Sequence, residues 1–427
     1  MRTGDTHPTT ATPSGPAHFP VDPARRPSAA APPAASSPRT AVAAAVVRRA
    51  LRELPLRVRF ADGTELGKGG PVLHIHRPDA FHARIGKHGL VGFGESYMAG
   101  EWDAPDLVAA LTVLAAHASE LVPAPLQRLR GLWALRQPSA RRNTPGGSRA
   151  NISHHYDLSN ELFALFLDET LSYSSAVFRG LPAAWELLAE AQRRKIDRLL
   201  DLAEVRDGSR VLEIGTGWGE LAIRAAARGA RVTSLTLSGE QRELAMERVA
   251  AAGLTDRVTV ELCDYREARG SYDAVVSVEM IEAVGAEFWP AYFRTLDALL
   301  APGGRVALQA ITMPHDRMLA SRSTYTWIQK YIFPGGLLPS VEAISETVRD
   351  HTSLTIARRD GYGAHYAETL RLWRERFAER ADAVAALEFD ETFQRMWTFY
   401  LAYSEAGFRS GYLDVQQYLL TKEEISR

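Results

Sequence analysis

The run Val211-Leu212-Glu213-Ile214-Gly215-Thr216-Gly217-Trp218-Gly219 places one carboxylate and three alternating glycines at the end of an apolar, strand-like stretch. Glycines at such a mouth let a ligand approach the backbone closely. Loops that cradle a pyrophosphate space their glycines as G-x-G-x-x-G, whereas here the third glycine arrives one residue early, and Glu213 would repel a phosphate. A carboxylate beside the turn suits a cationic ligand, and the spacing favours S-adenosylmethionine. Glu213 would then accept hydrogen bonds near the amino-acid end of the donor, with Gly215, Gly217 and Gly219 beneath it. The following strands end in further polar groups. Thr236, Leu237 and Gln241 are placed for a ribose, using hydroxyl and amide groups where most such enzymes use a carboxylate. Asp264 and Tyr265 are suited to bond and cover an adenine. A glycine turn alone is also a tight strand-to-helix connection; the ordered series of strand ends argues for more.

These residues need a scaffold that brings strand ends together. After His154 apolar strands alternate with amphipathic helices: a helix over about 183–205, then strands at Arg210–Ile214, Arg231–Leu235, Val258–Leu262, Ala274–Val278 and Arg305–Ile311. That alternation predicts an α/β fold, a doubly wound, mostly parallel sheet covered on both faces. From about Met313 the chain reads as helical and aromatic, with a final strand near 412–420. Trp373, Phe377, Trp397, Tyr400 and Tyr403 recur at helical spacing and read mainly as core. Upstream, residues 1–38 are dominated by Pro, Ala, Thr and Ser and read as a disordered tail. Residues 39–127 read as a small α+β domain, with strands at 56–60 and 71–75. Residues 128–150 read as a basic linker, and 151–427 as the larger domain.

Composition narrows the function. Fifty basic residues against 51 acidic give a net charge of -1, which argues against a nucleic-acid-gripping surface. The lone cysteine, Cys263, excludes internal disulfides and thiolate zinc sites, and no metal set is legible. No apolar run reaches the roughly 20 residues of a membrane span, and no secretory signal is visible. The expectation is a cytoplasmic protein touching the inner membrane face peripherally.

From Asn151 onward the chain resembles the cyclopropane-fatty-acyl-phospholipid synthase family, which includes the mycolic acid cyclopropane synthases. The resemblance rests on His155-Tyr156-Asp157-Leu158-Ser159-Asn160 with Phe163, on Tyr173-Ser174, on the glycine turn, on Trp327 through Gly336 (WIQKYIFPGG), and on Tyr400-Leu401 with Phe408-Arg409. Gly94-Glu95-Ser96-Tyr97-Met98, with Gly100 and Trp102, is similar to the small N-terminal domain of the bacterial phospholipid enzymes, which points to a phospholipid carrier. The resemblance implies a class I S-adenosylmethionine-dependent methyltransferase fold, with Tyr173 and Ser174 near the cofactor. In that family a bicarbonate ion held by a cysteine, a glutamate, a histidine, a tyrosine and backbone is thought to act as base. Glu282 and Tyr366 match the glutamate and tyrosine, and Ile311 keeps the backbone position. Ser175 stands for the cysteine and Gln309 for the histidine.

The implied chemistry is transfer of a methyl group to the double bond of an unsaturated acyl chain. Attack by the alkene creates a carbocation, which aromatic faces such as Tyr173, Phe178 and Tyr331 would stabilise, in a cavity kept dry by the acyl chain. Immediate loss of a proton from the new methyl group closes a cyclopropane; a prior hydride shift gives an exocyclic methylene. Ser175 and Gln309 would weaken or displace bicarbonate and favour the second course. The segments Glu279 to Gly285, Ala310 to His315 and Tyr403 to Phe408 also look like the branch that makes 10-methylene acids, precursors of tuberculostearic acid. Saturating that product needs a hydride, so a separate reductase is an implied partner; a homodimer is allowed. Three other readings stay open: cyclopropane formation, methylation of a small molecule or RNA on the same fold, and non-catalytic lipid binding.

Overall fold

The computed structural model describes residues 38–118, 143, 144, 147, 159–322 and 324–423. The tail expected before Pro38, most of the linker and the His154 to Leu158 segment lie outside the described residues. The N-terminal unit runs α1 (Pro38–Glu53), β1 (Arg57–Phe60), β2 (Glu65–Leu66), β3 (Val72–Ile75), α2 (Pro78–His88), α3 (Leu90–Met98), β4 (Trp102–Asp103) and α4 (Leu107–Ala116). Its strands form one sheet in the order β2-β1-β3-β4, with β1 and β3 parallel. In β1 the alternation is strict: Val58 and Phe60 are buried, Arg57 and Arg59 exposed, the period of two that a one-sided sheet requires.

The larger unit opens with α5 (Asn160–Phe166) and α6 (Leu188–Leu202), then β5 (Arg210–Ile214), α7 (Glu220–Ala227), β6 (Arg231–Thr236), α8 (Gly239–Ala251), β7 (Val258–Leu262), β8 (Tyr272–Val278), α9 (Trp289–Leu299) and β9 (Leu300–Thr312). There follow α10 (His315–Ser321), α11 (Trp327–Tyr331), α12 (Val341–His351), β10 (Leu354–Gly361), α13 (Gly363–Glu379), α14 (Ala381–Ala386), α15 (Glu391–Arg409) and β11 (Asp414–Lys422). Seven strands pair in the order β10-β11-β9-β8-β5-β6-β7. The strands β7, β6, β5, β8 and β9 are mutually parallel, while β11 runs antiparallel to both β9 and β10.

The chain leaves β5 outward to β6 and β7, then returns to β8 on the other flank of β5. That reversal opens a crevice beyond the carboxyl ends of β5 and β8, where ligands of open α/β sheets bind. Both faces are covered as the near-continuous apolar strands demand: α6, α7 and α8 pack on one, and α9 and α12 on the other. Edge strand β10 is the element that the sequence did not announce, because LTIARRDG exposes most of its side chains and carries no alternating apolar signal. The sequence pattern places its residues in the helical C-terminal segment, and the pairing with β11 makes them a strand instead.

The C-terminal helices and the N-terminal unit share one core. Phe399 of α15 meets the rings of Phe93, Tyr97 and Trp102 at 6.2, 5.2 and 6.2 Å, and Trp327 at 4.9 Å. Gly94 lies so close to Trp327 that a Cβ there would stand 2.4 Å from the indole. Beside it Glu95, fully buried, accepts from Lys330 and from the Tyr331 hydroxyl (2.8 Å) and pairs with His88 Nδ1 (2.8 Å). The two motifs around Gly94 and Trp327 thus form a junction, and Tyr331, read earlier as a cation-facing ring, belongs to it.

Candidate active site

Five strand ends and one loop converge. The glycine turn follows β5; its three glycines have φ of 98°, 52° and 88°, conformations that L side chains rarely adopt. Open space surrounds the position a Cβ would take at Gly217, so this face of the turn is free to receive a ligand. Glu213, the penultimate residue of β5, is buried and accepts from Ser234 Oγ (2.6 Å), which also bonds Thr216 Oγ1 (2.6 Å). Desolvation lifts its carboxyl to about 8. A buried carboxylate beside an open glycine face is the fit a sulfonium amino acid requires, so the residues present suit S-adenosylmethionine.

Other expected cofactor residues already bond one another. Thr236 Oγ1 donates to Gln241 Oε1 (3.1 Å), and Ser238 caps α8 by accepting from Gln241 N (3.2 Å). Leu237 is half-buried between them. Asp264 holds the Arg266 guanidinium through Nε (2.8 Å) and Nη2 (2.6 Å), and the Tyr265 ring packs edge-on to Tyr292 at 5.3 Å beneath that same guanidinium.

The loop carrying Tyr173, Ser174 and Ser175 is held from two sides. Gln192 and Lys195 project from the apolar face of α6. Gln192 donates to the carbonyls of Ser172 (3.2 Å) and Ser174 (2.9 Å), and Lys195 donates to Ser174 Oγ (2.6 Å). On the opposite side α13 supplies Thr369, which accepts from Ala176 N (3.1 Å), and His365, which accepts from Phe178 N (3.1 Å). Tyr173 shares a hydroxyl contact of 2.7 Å with Tyr400, and its ring meets Phe163 and Trp373 at 5.1 and 5.3 Å. Most of the C-terminal aromatics are buried core; Tyr403 remains 46% exposed.

Glu279, which the sequence reading left unassigned, sits at the centre. It follows β8, and its carboxylate accepts from Ser175 N (2.8 Å), Gln309 Nε2 (2.7 Å) and the Tyr366 hydroxyl (2.8 Å). Its backbone has φ of 51°, a left-handed conformation uncommon outside glycine, and its N–H donates to Gln309 O (2.8 Å). Gln309 is oriented in turn by β11, where Gln417 Nε2 donates to Gln309 Oε1 (2.9 Å). Three residues on, Glu282 accepts from Ile311 N, while its Oε2 is buried without a partner among the described residues. Burial first, and each other's charge second for Glu282, push both carboxyls upward from the usual range. Lys195, itself drawn down to about 8 by burial, supplies the balancing positive field to Glu279 and Glu213.

The structure therefore gathers Ser175, Gln309, Ile311, Tyr366 and Glu282 at one place, around a carboxylate of the protein. A bicarbonate ion does not fit this set. The Ser175, Gln309 and Tyr366 donors are directed at Glu279 and the Ile311 N–H at Glu282, and another anion would stand against two acidic groups. The signal for Glu279 was its position: two acids three apart, closing the strand beside the crevice. For Lys195 and Gln192 the signal was polar residues inside the apolar stripe of α6.

The sequence pattern of the family described as mycolic acid cyclopropane synthetase matches residues 145–418. The tuberculostearic acid methyltransferase UfaA1 of Mycobacterium tuberculosis (strain ATCC 25618 / H37Rv) is 60% identical over 390 residues, 90% of this chain and 91% of that protein. The cyclopropane-fatty-acyl-phospholipid synthase of Escherichia coli (strain K12) is 33% identical over 361 residues, 83% of this chain and 89% of that one. Among solved structures, the mycolic acid cyclopropane synthase CmaA1 complexed with SAH and CTAB superposes with a TM-score of 0.59 at 31% identity, covering 67% of this chain and 99% of its own.

Proposed function

This chain belongs to the mycolic acid cyclopropane synthetase family, and from that premise we propose that it methylates the double bond of an unsaturated fatty acyl chain in a phospholipid and releases a 10-methylene product. S-adenosylmethionine supplies the methyl group as an electrophilic carbon on a sulfonium. Glu213 and the open glycine face hold the donor's charged end, and Lys195 and Gln192 fix the Ser172–Ser175 loop against it. The rings around Tyr173 and Tyr366 give the carbocation in the acyl chain a polarisable wall: Tyr366 packs on Phe408 at 4.6 Å, and Tyr173 on Trp373.

The observation that carries the product reading is the polar frame itself. Where a cyclopropane enzyme of this family would have histidine, Gln309 directs its side-chain amide at a carboxylate fixed in the protein, which the Ser175 backbone N–H also bonds. The 60% identity to a tuberculostearic acid methyltransferase supports the same product. A reductase acting afterwards is part of this proposal, because reduction of a methylene needs a hydride donor, and the chain's glycine turn has the spacing of a methyl-donor site. Work at the membrane surface is a further part of this proposal; among the described residues no helix is long and apolar enough to cross a membrane.

Lipids from cells that make oleoyl phospholipids and express this chain alone decide between products. Vinylidene protons in the NMR spectrum, with a mass gain of one CH2, are expected. Cyclopropane resonances without vinylidene signals would replace the 10-methylene reading by ring formation.

A further inference from the structure

A cation flanked by a new methyl group is quenched by whichever base lies nearest, so the identity of that base is a structural question. In this chain the polar wall facing the crevice ends in the carboxylate of Glu279. Its two oxygens take hydrogen bonds from a backbone N–H, an amide and a phenol, contributed by the Ser172–Ser175 loop, β9 and α13. The residue holds a left-handed backbone at φ of 51°, a cost of about 1–2 kcal/mol that native structures retain mainly where neighbours enforce it at functional sites.

We propose that Glu279 is the base of the reaction, a carboxylate built into the chain that does the work for which the family is thought to borrow a bicarbonate ion. This rests on the reading that the substrate is an unsaturated acyl chain. In the step assigned to Glu279, the methyl carbon bonded to the cationic carbon loses a proton to a carboxylate oxygen. The C–H electron pair becomes the second bond of the methylene group, the cation is neutralised, and Glu279 becomes a carboxylic acid. The proton passes to water when the product leaves, and the carboxylate is restored.

Three features suit Glu279 to this step. Its desolvated carboxyl is a stronger base than a solvated one. Lys195 supplies a positive field that keeps it ionised. Its attachment to the end of β8 fixes it, whereas a bound ion must be recruited. Glu282 faces the charge of Glu279, bonds the Ile311 N–H through one oxygen and has no partner on the other among the described residues; it lacks the three donors that fix the Glu279 carboxylate in place.

The test uses the full chain, S-adenosylmethionine labelled in the methyl group, and vesicles of dioleoylphosphatidylglycerol and dioleoylphosphatidylethanolamine, in buffer freed of carbon dioxide or supplemented with bicarbonate. Wild-type turnover is expected to be indifferent to bicarbonate. Glu279→Gln should bind S-adenosylmethionine as wild type does by calorimetry and lose about 10²–10⁴-fold in turnover, the usual worth of a general base. Glu279→Gly, which opens the space, should recover part of the loss when bicarbonate is added. A wild-type enzyme that needs bicarbonate, or a Glu279→Gln variant that turns over normally, overturns the assignment alone; the wild-type arm needs no variant to fold. Label entering no acyl chain in any buffer sinks the substrate reading, and the assignment with it.

Discussion

A carboxyl group lifted to about 8 by burial, as Glu213 is, changes charge in the range where enzymes are assayed. Its folded value lies above the ordinary 4.5, so the folded protein binds the extra proton; the stability this gives is complete below about 4.5 and lost as pH rises through about 8. Lys195 moves the other way, from 10.5 to about 8, so it raises stability only as pH climbs from about 8 toward 10.5, outside that window. Denaturant midpoints of the ligand-free protein should therefore decline between pH 5 and pH 8, and a flat profile would show that the carboxyls of Glu213 and Glu282 are solvated. A cationic donor favours ionised Glu213, so calorimetric affinity for S-adenosylmethionine should tighten over the same interval. One position away from the chemistry, Gln417 holds the Gln309 amide with its N–H toward Glu279. Gln417→Leu should slow turnover about tenfold, the rate equivalent of one hydrogen bond of ~1.4 kcal/mol, while donor affinity is unchanged.

At the scale of elements, the junction between α3 and α11 gives the sharpest expectation. A β-branched side chain at Gly94 has no room against Trp327, so Gly94→Val should cost about 1–3 kcal/mol as overpacking. The loss should appear as a lower denaturation midpoint and as faster amide exchange in α11. The same junction shows where the sequence was readable. Parallel strands and the helices between them were legible because both follow simple apolar periods, and Val258–Leu262 was bounded as the structure has it. The two-residue strands β2 and β4 are too short to show a period, and β10 is an exposed edge whose pairing is enforced by β11. Site residues at strand ends could be found because a βα connection announces itself with glycine or a polar cluster. Glu279 was passed over since nothing in its neighbours' sequence reveals that Ser175, Gln309 and Tyr366, up to 104 positions away, aim donors at it. Lys195 and Gln192 stand inside the apolar stripe of α6, but the sequence does not show that the Ser172–Ser175 loop lies where they can bond it.

Taken whole, the N-terminal unit covers an aromatic face that the larger unit cannot cover itself. Phe399 lies against Phe93, Tyr97, Trp102 and Trp327, and the Arg395 guanidinium sits 4.3 Å over the Tyr97 ring while donating to the Tyr97 carbonyl (2.8 Å). A chain starting at residue 143 should therefore expose a contiguous apolar patch and self-associate. Sedimentation velocity checks this, and a monodisperse, cooperatively melting fragment would show that the two units fold independently.

The left-handed backbone of Glu279 has one more consequence. Glycine adopts φ of 51° without penalty, but losing the carboxylate strands the Ser175 N–H, the Gln309 amide and the Tyr366 hydroxyl at about 1–3 kcal/mol each, so Glu279→Gly should melt at a lower temperature than the natural protein. A laboratory campaign that ranked variants by heat tolerance alone would therefore reject this replacement and keep the catalyst, which makes position 279 a place where durability and usefulness coincide.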